Sequence, residues 1–253
     1  MWVGVMGLPV DMEGVGEYLD ITPVATYFLL AANTLVFLGV NILFPFLGFR
    51  TYDELLFAYG VYPADILSFE TFYRVFTSMF LHAGIFHLFG NMFFLYMFGR
   101  NVEKVMGTLR FLFFYLLSGI IAALFHTLSI VVASYALPGL QLTHPEYWLI
   151  PSVGASGAIS GVLGACLVLY PRARLITIFY FFPVLMTVEA YIVIWFLFQV
   201  FMGMAYGVSA GVAFWAHLGG FIGGISLLPL FVRKEIIAIL RRKRLLMQIY
   251  GIV

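Results

Sequence analysis

Apolar residues run through this chain in long blocks set apart by short polar breaks. Crossing the roughly 30 Å hydrocarbon core of a bilayer takes about 20 helical residues. Six blocks reach or approach that length: about 23–45, 83–99, 108–133, 154–170, 185–205 and 212–232. The second and fourth are short, and each begins with polar residues. The fifth belongs to a nearly uncharged run, 176–205, about 45 Å of helix at 1.5 Å per residue and too long for one straight span. Pro183 lacks an N–H and disfavours helix at Phe182. The pattern therefore predicts an interfacial segment over 176–184 and a crossing that starts after it.

Composition sets the class. Of 253 residues, 63% are hydrophobic and 10% charged, and mean hydropathy is +1.05. A soluble domain carries roughly 45–50% apolar and about 25% charged residues. The expected fold is an all-α polytopic membrane protein with six transmembrane helices in one domain over 23–232. A segment 1–22 precedes it and a basic tail 233–253 follows. The first twenty residues hold four acids and no basic n-region, unlike a cleaved signal. A net charge of +1 gives no reason to expect a nucleic-acid partner. Cys166 is the only cysteine, so an intrachain disulfide or cysteine zinc cluster is impossible. No cofactor and no metal is expected.

Lys and Arg near span ends predict orientation. The tail carries Arg233, Lys234, Arg241, Arg242, Lys243 and Arg244, which puts it in the cytoplasm. Arg100, Lys104 and Arg110 after the second span, and Arg172 and Arg174 after the fourth, point the same way. The connections 46–82, 136–153 and 206–211 are then external, and both termini cytoplasmic. Spans two, four and six all run inward from the external face. That brings His87 and Asn91, Ser156, and His217 to similar depth.

A polar group inside a bilayer is costly, and an ionisable one there is a functional-site hypothesis by default. A serine hydroxyl becomes a nucleophile when a base within hydrogen-bond reach takes its proton, and neutral imidazole suits that role near pH 7. Ser156 opens its helix, where backbone N–H groups lack intrahelical acceptors. His87 and Asn91, at i and i+4, share a face and can supply further donors to an oxyanion. Gly220 and Gly224 follow His217 on its own face and allow span six to approach span four. Taken singly, Ser156, Ser160 and Gly164 suit a packing seam, and His87 with Asn91 an interhelical hydrogen-bond pair. A nucleophile, a base and oxyanion donors at one depth favour acyl transfer.

The motifs then resemble one family. Tyr73-Arg74, the run Phe76 to His82, His82-x4-His87-Leu88-x2-Asn91-Met92, Gly99-x3-Glu103-x3-Gly107, Gly154-Ala155-Ser156-Gly157 and Ala216-His217-x2-Gly220-x3-Gly224 are together similar to the rhomboid intramembrane serine proteases over about 60–228. The resemblance implies a catalytic dyad of Ser156 and His217. It implies an oxyanion hole from the Ser156 N–H, His87 and Asn91. His82 would be a structural partner, and Arg74 the anchor of an external loop partly in the outer leaflet. Gly154, Gly157, Gly220 and Gly224 would support the site. The fifth span and the 206–211 cap would form the substrate gate. Substrates would be transmembrane proteins in the lipid bilayer, cleaved near the external face.

Two positions depart from the family pattern. Tyr73 replaces a Trp, another interfacial aromatic. Ser160 stands where an aromatic often stacks on the histidine, leaving open what orients His217. Glu189, near the cytoplasmic end of span five, is expected to snorkel or pair with Arg172 or Arg174. His126 and His144 have no motif partner. Two other classes fit less well. A catalytically silent rhomboid-like client-binding protein typically lacks the serine or histidine, and a transporter with a His87–His217 proton relay finds no inverted repeat here.

Overall fold

The computed structural model describes residues 7–11, 22–46, 52–68, 70–136, 148–179, 182–206 and 212–234, with Ile236 and Ala238. The expected segment 1–22, the 136–153 connection with His144, the 206–211 cap and the basic tail fall largely outside these residues. The first helix, α1 (Val24–Leu38), continues through a π-helical turn at Gly39–Leu43 into α2 (Phe44–Phe46). The following connection holds α3 (Tyr52–Tyr59), a 3-10 turn at Pro63–Leu67 and α4 (Tyr73–Ser78). Next come α5 (Ile85–Phe94), a π-helical turn at Leu95–Gly99, and α6 (Arg100–Met106). The remaining helices are α7 (Thr108–Ala136), α8 (Ser156–Leu169), α9 (Val188–Tyr206) and α10 (Phe214–Phe231).

Among the described residues, four helical segments are long and apolar enough to cross a membrane: Val24–Phe46, Thr108–Ser134, Val188–Tyr206 and Phe214–Phe231. The short α8 lies at the centre of the bundle, every residue from Ala158 to Cys166 buried. Its close neighbours need small residues. A Cβ on Gly220 would collide with the Gly157 carbonyl, one on Gly224 with the Gly161 carbonyl, and one on Gly164 with the Phe221 carbonyl. Helices in lipid associate by such backbone approach rather than by a hydrophobic driving force. The glycines of α8 and α10 thus set the distance between the two helices.

The structure departs from the sequence pattern in two places. Helix continues past residue 99 to Met106, so Arg100 and Lys104 lie on α6 rather than in a connection. The join to α7 is Gly107, with φ of 86°, a backbone conformation that favours glycine. The all-α expectation also misses a three-stranded antiparallel sheet ordered β1-β2-β3. Its strands are β1 (Gly7–Asp11), β2 (Arg174–Phe179) and β3 (Phe182–Thr187), with Ile178 opposite Pro183 and Arg174 opposite Thr187. Ile, Thr, Phe and Val favour strands, and an edge strand tolerates Pro183. Hydropathy counts such residues as membrane-like whichever structure they adopt. The crossing helix α9 then begins at Val188, after the segment 176–184.

One buried carboxylate joins three elements. Glu103 of α6 is fully buried and accepts hydrogen bonds from the Ala25 N–H at 2.8 Å, the Thr26 N–H at 2.7 Å and the Thr26 hydroxyl at 2.7 Å. The first N–H groups of a helix have no intrahelical acceptor, and an anion there opposes the positive end of the helix dipole. Nearby, Arg233 donates to the Lys104 carbonyl at 2.6 Å and to the Val105 carbonyl at 3.2 Å, closing the last turn of α6 from beyond α10.

Candidate active site

Ser156 is the first residue of α8, and His217 is one turn into α10. The Ser156 Oγ lies 2.8 Å from His217 Nε2, which is hydrogen-bonding distance. The glycine contacts between α8 and α10 hold the backbones close enough for this reach. His217 is buried.

The turn before Ser156 is equally constrained. Gly154 has φ of 122°, which L side chains rarely adopt, and its N–H donates to the Ser78 carbonyl at 2.8 Å. A Cβ at Gly154 would lie 2.8 Å from both Cε1 and Nε2 of His87 and 3.5 Å from Asn91 Nδ2. The two side chains of α5 thus line the turn that presents the serine. On the other edge of the His87 ring, Nδ1 accepts the Ala83 N–H at 3.4 Å. An acceptor at Nδ1 leaves the proton of neutral imidazole on Nε2. The Nε2 edge of the His87 ring faces the Gly154 turn. His82 is buried and packs edge-on to His87, with ring centroids 5.1 Å apart.

A small cavity of about 50 Å³ opens beside Ser156, lined in part by Gly154, Gly157, Ala122, His126 and Thr127. Its wall is mostly apolar, with Ser156, His126 and Thr127 among its polar groups, and its size is enough for a water molecule. His126, without a motif partner in the sequence, thus lies on the same cavity as Ser156. Its sequence signal, a histidine inside an apolar helix, was present but lacked a partner at any recognisable spacing.

Ser160 does not approach His217. Its hydroxyl donates to the Ser156 carbonyl one turn back, at 2.7 Å. Two residues of α9 occupy the far side of the imidazole. Gln199 Oε1 lies 2.9 Å from His217 Nδ1, and the Trp195 ring sits 6.3 Å from the His217 ring at an interplanar angle of 34°. Sequence reading missed Gln199, an uncharged polar residue in an apolar helix with no motif around it.

Arg74 lies outside the cavity lining. It pairs with Asp65 at 3.4 Å, and its guanidinium stands over the Tyr62 ring, 5.3 Å from the centroid. Burial raises the Tyr62 phenol above its ordinary pKa, with Arg74 opposing, so the ring stays neutral and the contact is a cation–π one. Asp65 also accepts the Tyr62 N–H at 2.8 Å. Val61 and Ser152 exchange backbone hydrogen bonds of 3.0 and 2.8 Å, which tie this loop to the strand of chain leading into Ser156. Tyr73 is half exposed. Glu189 is exposed, and the ion pair found among the described residues is Arg74–Asp65, not one between Glu189 and Arg172 or Arg174.

Fold and site together define a polytopic helical membrane protein with a hydrogen-bonded serine and histidine on two closely packed helices. Residues 70–234 match the model of the Rhomboid domain, and the chain belongs to the rhomboid family. It is 31% identical over 202 residues to rhomboid protease GluP of Bacillus subtilis (strain 168), covering 80% of this chain and 34% of that protein. It is 30% identical over 198 residues to rhomboid protease AarA of Providencia stuartii, covering 76% of this chain and 68% of that protein. Inactive RHOMBOID-like protein 8 of Arabidopsis thaliana is 35% identical over 95 residues, 38% of this chain and 22% of that protein. The chain thus spans about a third of the length of GluP. The family includes members named proteases and a member named inactive.

Proposed function

We propose that this chain is an intramembrane serine endopeptidase with a six-span core, cleaving transmembrane proteins within the bilayer. The observation that carries the reading is the 2.8 Å contact between Ser156 Oγ and His217 Nε2. In the proposed reaction Ser156 Oγ attacks the carbonyl carbon of the scissile bond while its proton passes to His217 Nε2. The oxyanion is met by the Ser156 N–H and by His87 and Asn91. Collapse of the intermediate breaks the C–N bond, and His217 returns the proton to the leaving amine. Water then hydrolyses the acyl-serine with His217 again as base. His82 supports His87, the Gly154 turn presents Ser156, and Gly157, Gly220 and Gly224 keep the helices close. The chemistry needs water in the bilayer, and the cavity beside Ser156 supports its access.

The charge pattern supports cytoplasmic termini and a site that opens externally, with the Arg74-anchored loop over it, partly in the outer leaflet. The silent client-binding alternative is disfavoured by the same contact, because a binding scaffold has no need of a serine hydroxyl on a histidine nitrogen. The test is reaction of the detergent-purified protein with a fluorophosphonate. Labelling of the parent that disappears in Ser156→Ala and His217→Ala is expected. A parent that never labels, or a Ser156→Ala variant that labels equally, refutes the reading.

A further inference from the structure

From the His217 Nδ1 to Gln199 Oε1 contact we infer that Gln199 is a positioning residue, holding the His217 imidazole in the tautomer and orientation that Ser156 requires. The inference rests on the protease reading above and extends it to a residue outside every motif.

The geometry is that of a relay without a carboxylate. An amide oxygen only accepts, so its 2.9 Å contact requires a proton on Nδ1. Neutral imidazole then bears its lone pair on Nε2, the nitrogen 2.8 Å from Ser156 Oγ. One hydrogen bond thereby selects the tautomer able to accept the serine proton. The opposite tautomer would set an N–H against the hydroxyl and place two lone pairs, Nδ1 and Oε1, face to face.

The buried stripe of α9 supports this assignment. Val188, Tyr191, Ile192, Trp195, Gln199 and Gly203 turn inward at helical spacing, and Gln199 is the residue among them bearing an amide. The opposite face, with Ile194, Leu197, Phe201 and Met204, is exposed and apolar. Burying an amide costs free energy unless it is hydrogen-bonded. Ser160, bonded to the Ser156 carbonyl, holds neither face of the ring. Gln199 thus fills the orienting role by hydrogen bonding and from a different helix, with Trp195 one turn earlier flanking the ring.

The first measurement is nitrogen NMR of the parent protein, labelled with ¹⁵N-histidine, in detergent near neutral pH. Assignment comes from loss of the signal in His217→Asn. A neutral His217 protonated on Nδ1 is expected; protonation on Nε2 overturns the inference. The second compares variants. Gln199→Leu should lower kcat about tenfold, the weight of one neutral hydrogen bond, with KM unchanged and the unfolding temperature lowered by only about 2–4 °C. Gln199→Glu, which keeps an acceptor, should restore most of that loss. An undiminished kcat in Gln199→Leu overturns the assignment, and Gln199→Met replaces it should the leucine variant misfold. If the parent fails to react with fluorophosphonate, the protease reading falls by itself, while the NMR result still decides whether Gln199 sets the tautomer.

Discussion

Gly220 of α10 rests directly on the carbonyl of Gly157 in α8, so close that any side chain at position 220 would strike it. This contact lies one residue beyond Ser156 and three beyond His217, so the helix spacing that gives the two side chains their reach is decided there.

Gly220→Ala should separate the two helices, since the obstacle is backbone rather than a movable side chain. Overpacking of this kind costs typically about 1–3 kcal/mol. Loss of fluorophosphonate labelling alongside a lowered unfolding temperature is expected. Full labelling at parental rate would mean that the approach at Gly220 does not control the reach of His217.

Gly154→Ala tests the turn rather than the helices. Its φ of 122° and the 2.8 Å approach to the His87 ring leave no room for a methyl group. Backbone strain of this kind costs on the order of 1–3 kcal/mol. Displacement of His87 should slow acylation by more than the stability change alone would. Single-turnover rates measured with folded protein check this.

Glu103→Ala removes the acceptor of three hydrogen bonds from Ala25 and Thr26. Hydrogen bonds to charged groups contribute about 1.5–3 kcal/mol each, and they are not additive in general. A severe loss of stability is expected, with Glu103→Gln, which keeps an acceptor oxygen, losing less. Thermal unfolding in detergent, read by near-ultraviolet circular dichroism, separates the two.

Arg74→Ala should change global stability little. The pair with Asp65 is partly exposed, at 23% for the arginine side chain, and such pairs contribute about 0–1 kcal/mol. The effect should instead be local: faster proteolysis within 52–68, where Arg74, Asp65 and Tyr62 hold the loop together. A cut pattern identical to the parent's would argue that the backbone pairing of Val61 with Ser152 holds the loop alone.

Orientation can be read with one introduced thiol. Cys166 is buried and silent to an impermeant maleimide, so Leu149→Cys, at a position 71% exposed, gives a single reporter. Labelling from outside intact cells is expected. Labelling only after lysis would put the Ser156 end of α8 on the cytoplasmic side.

The blocks of apolar residues were enough to identify a polytopic helical membrane protein, because a bilayer admits few ways of satisfying the backbone. The small residues around Ser156 and His217 were legible for a similar reason: close helix approach leaves a direct mark on residue size. The family, too, could be read from motif spacing. The tertiary structure decided what spacing does not encode. Residues 174–179 and 182–187 are apolar enough to pass for membrane helix but pair as antiparallel strands, since hydropathy does not sense strand partners. Glu103 is a polar residue near a helix end until the N-terminus of α1 is placed against it. Gln199 and His217, on different helices, meet only when α9 docks on α10, and that contact answers the question Ser160 raised about what faces the base. Orientation of an imidazole depends on which atoms surround it in space, and those atoms come from helices whose sequences carry no record of one another.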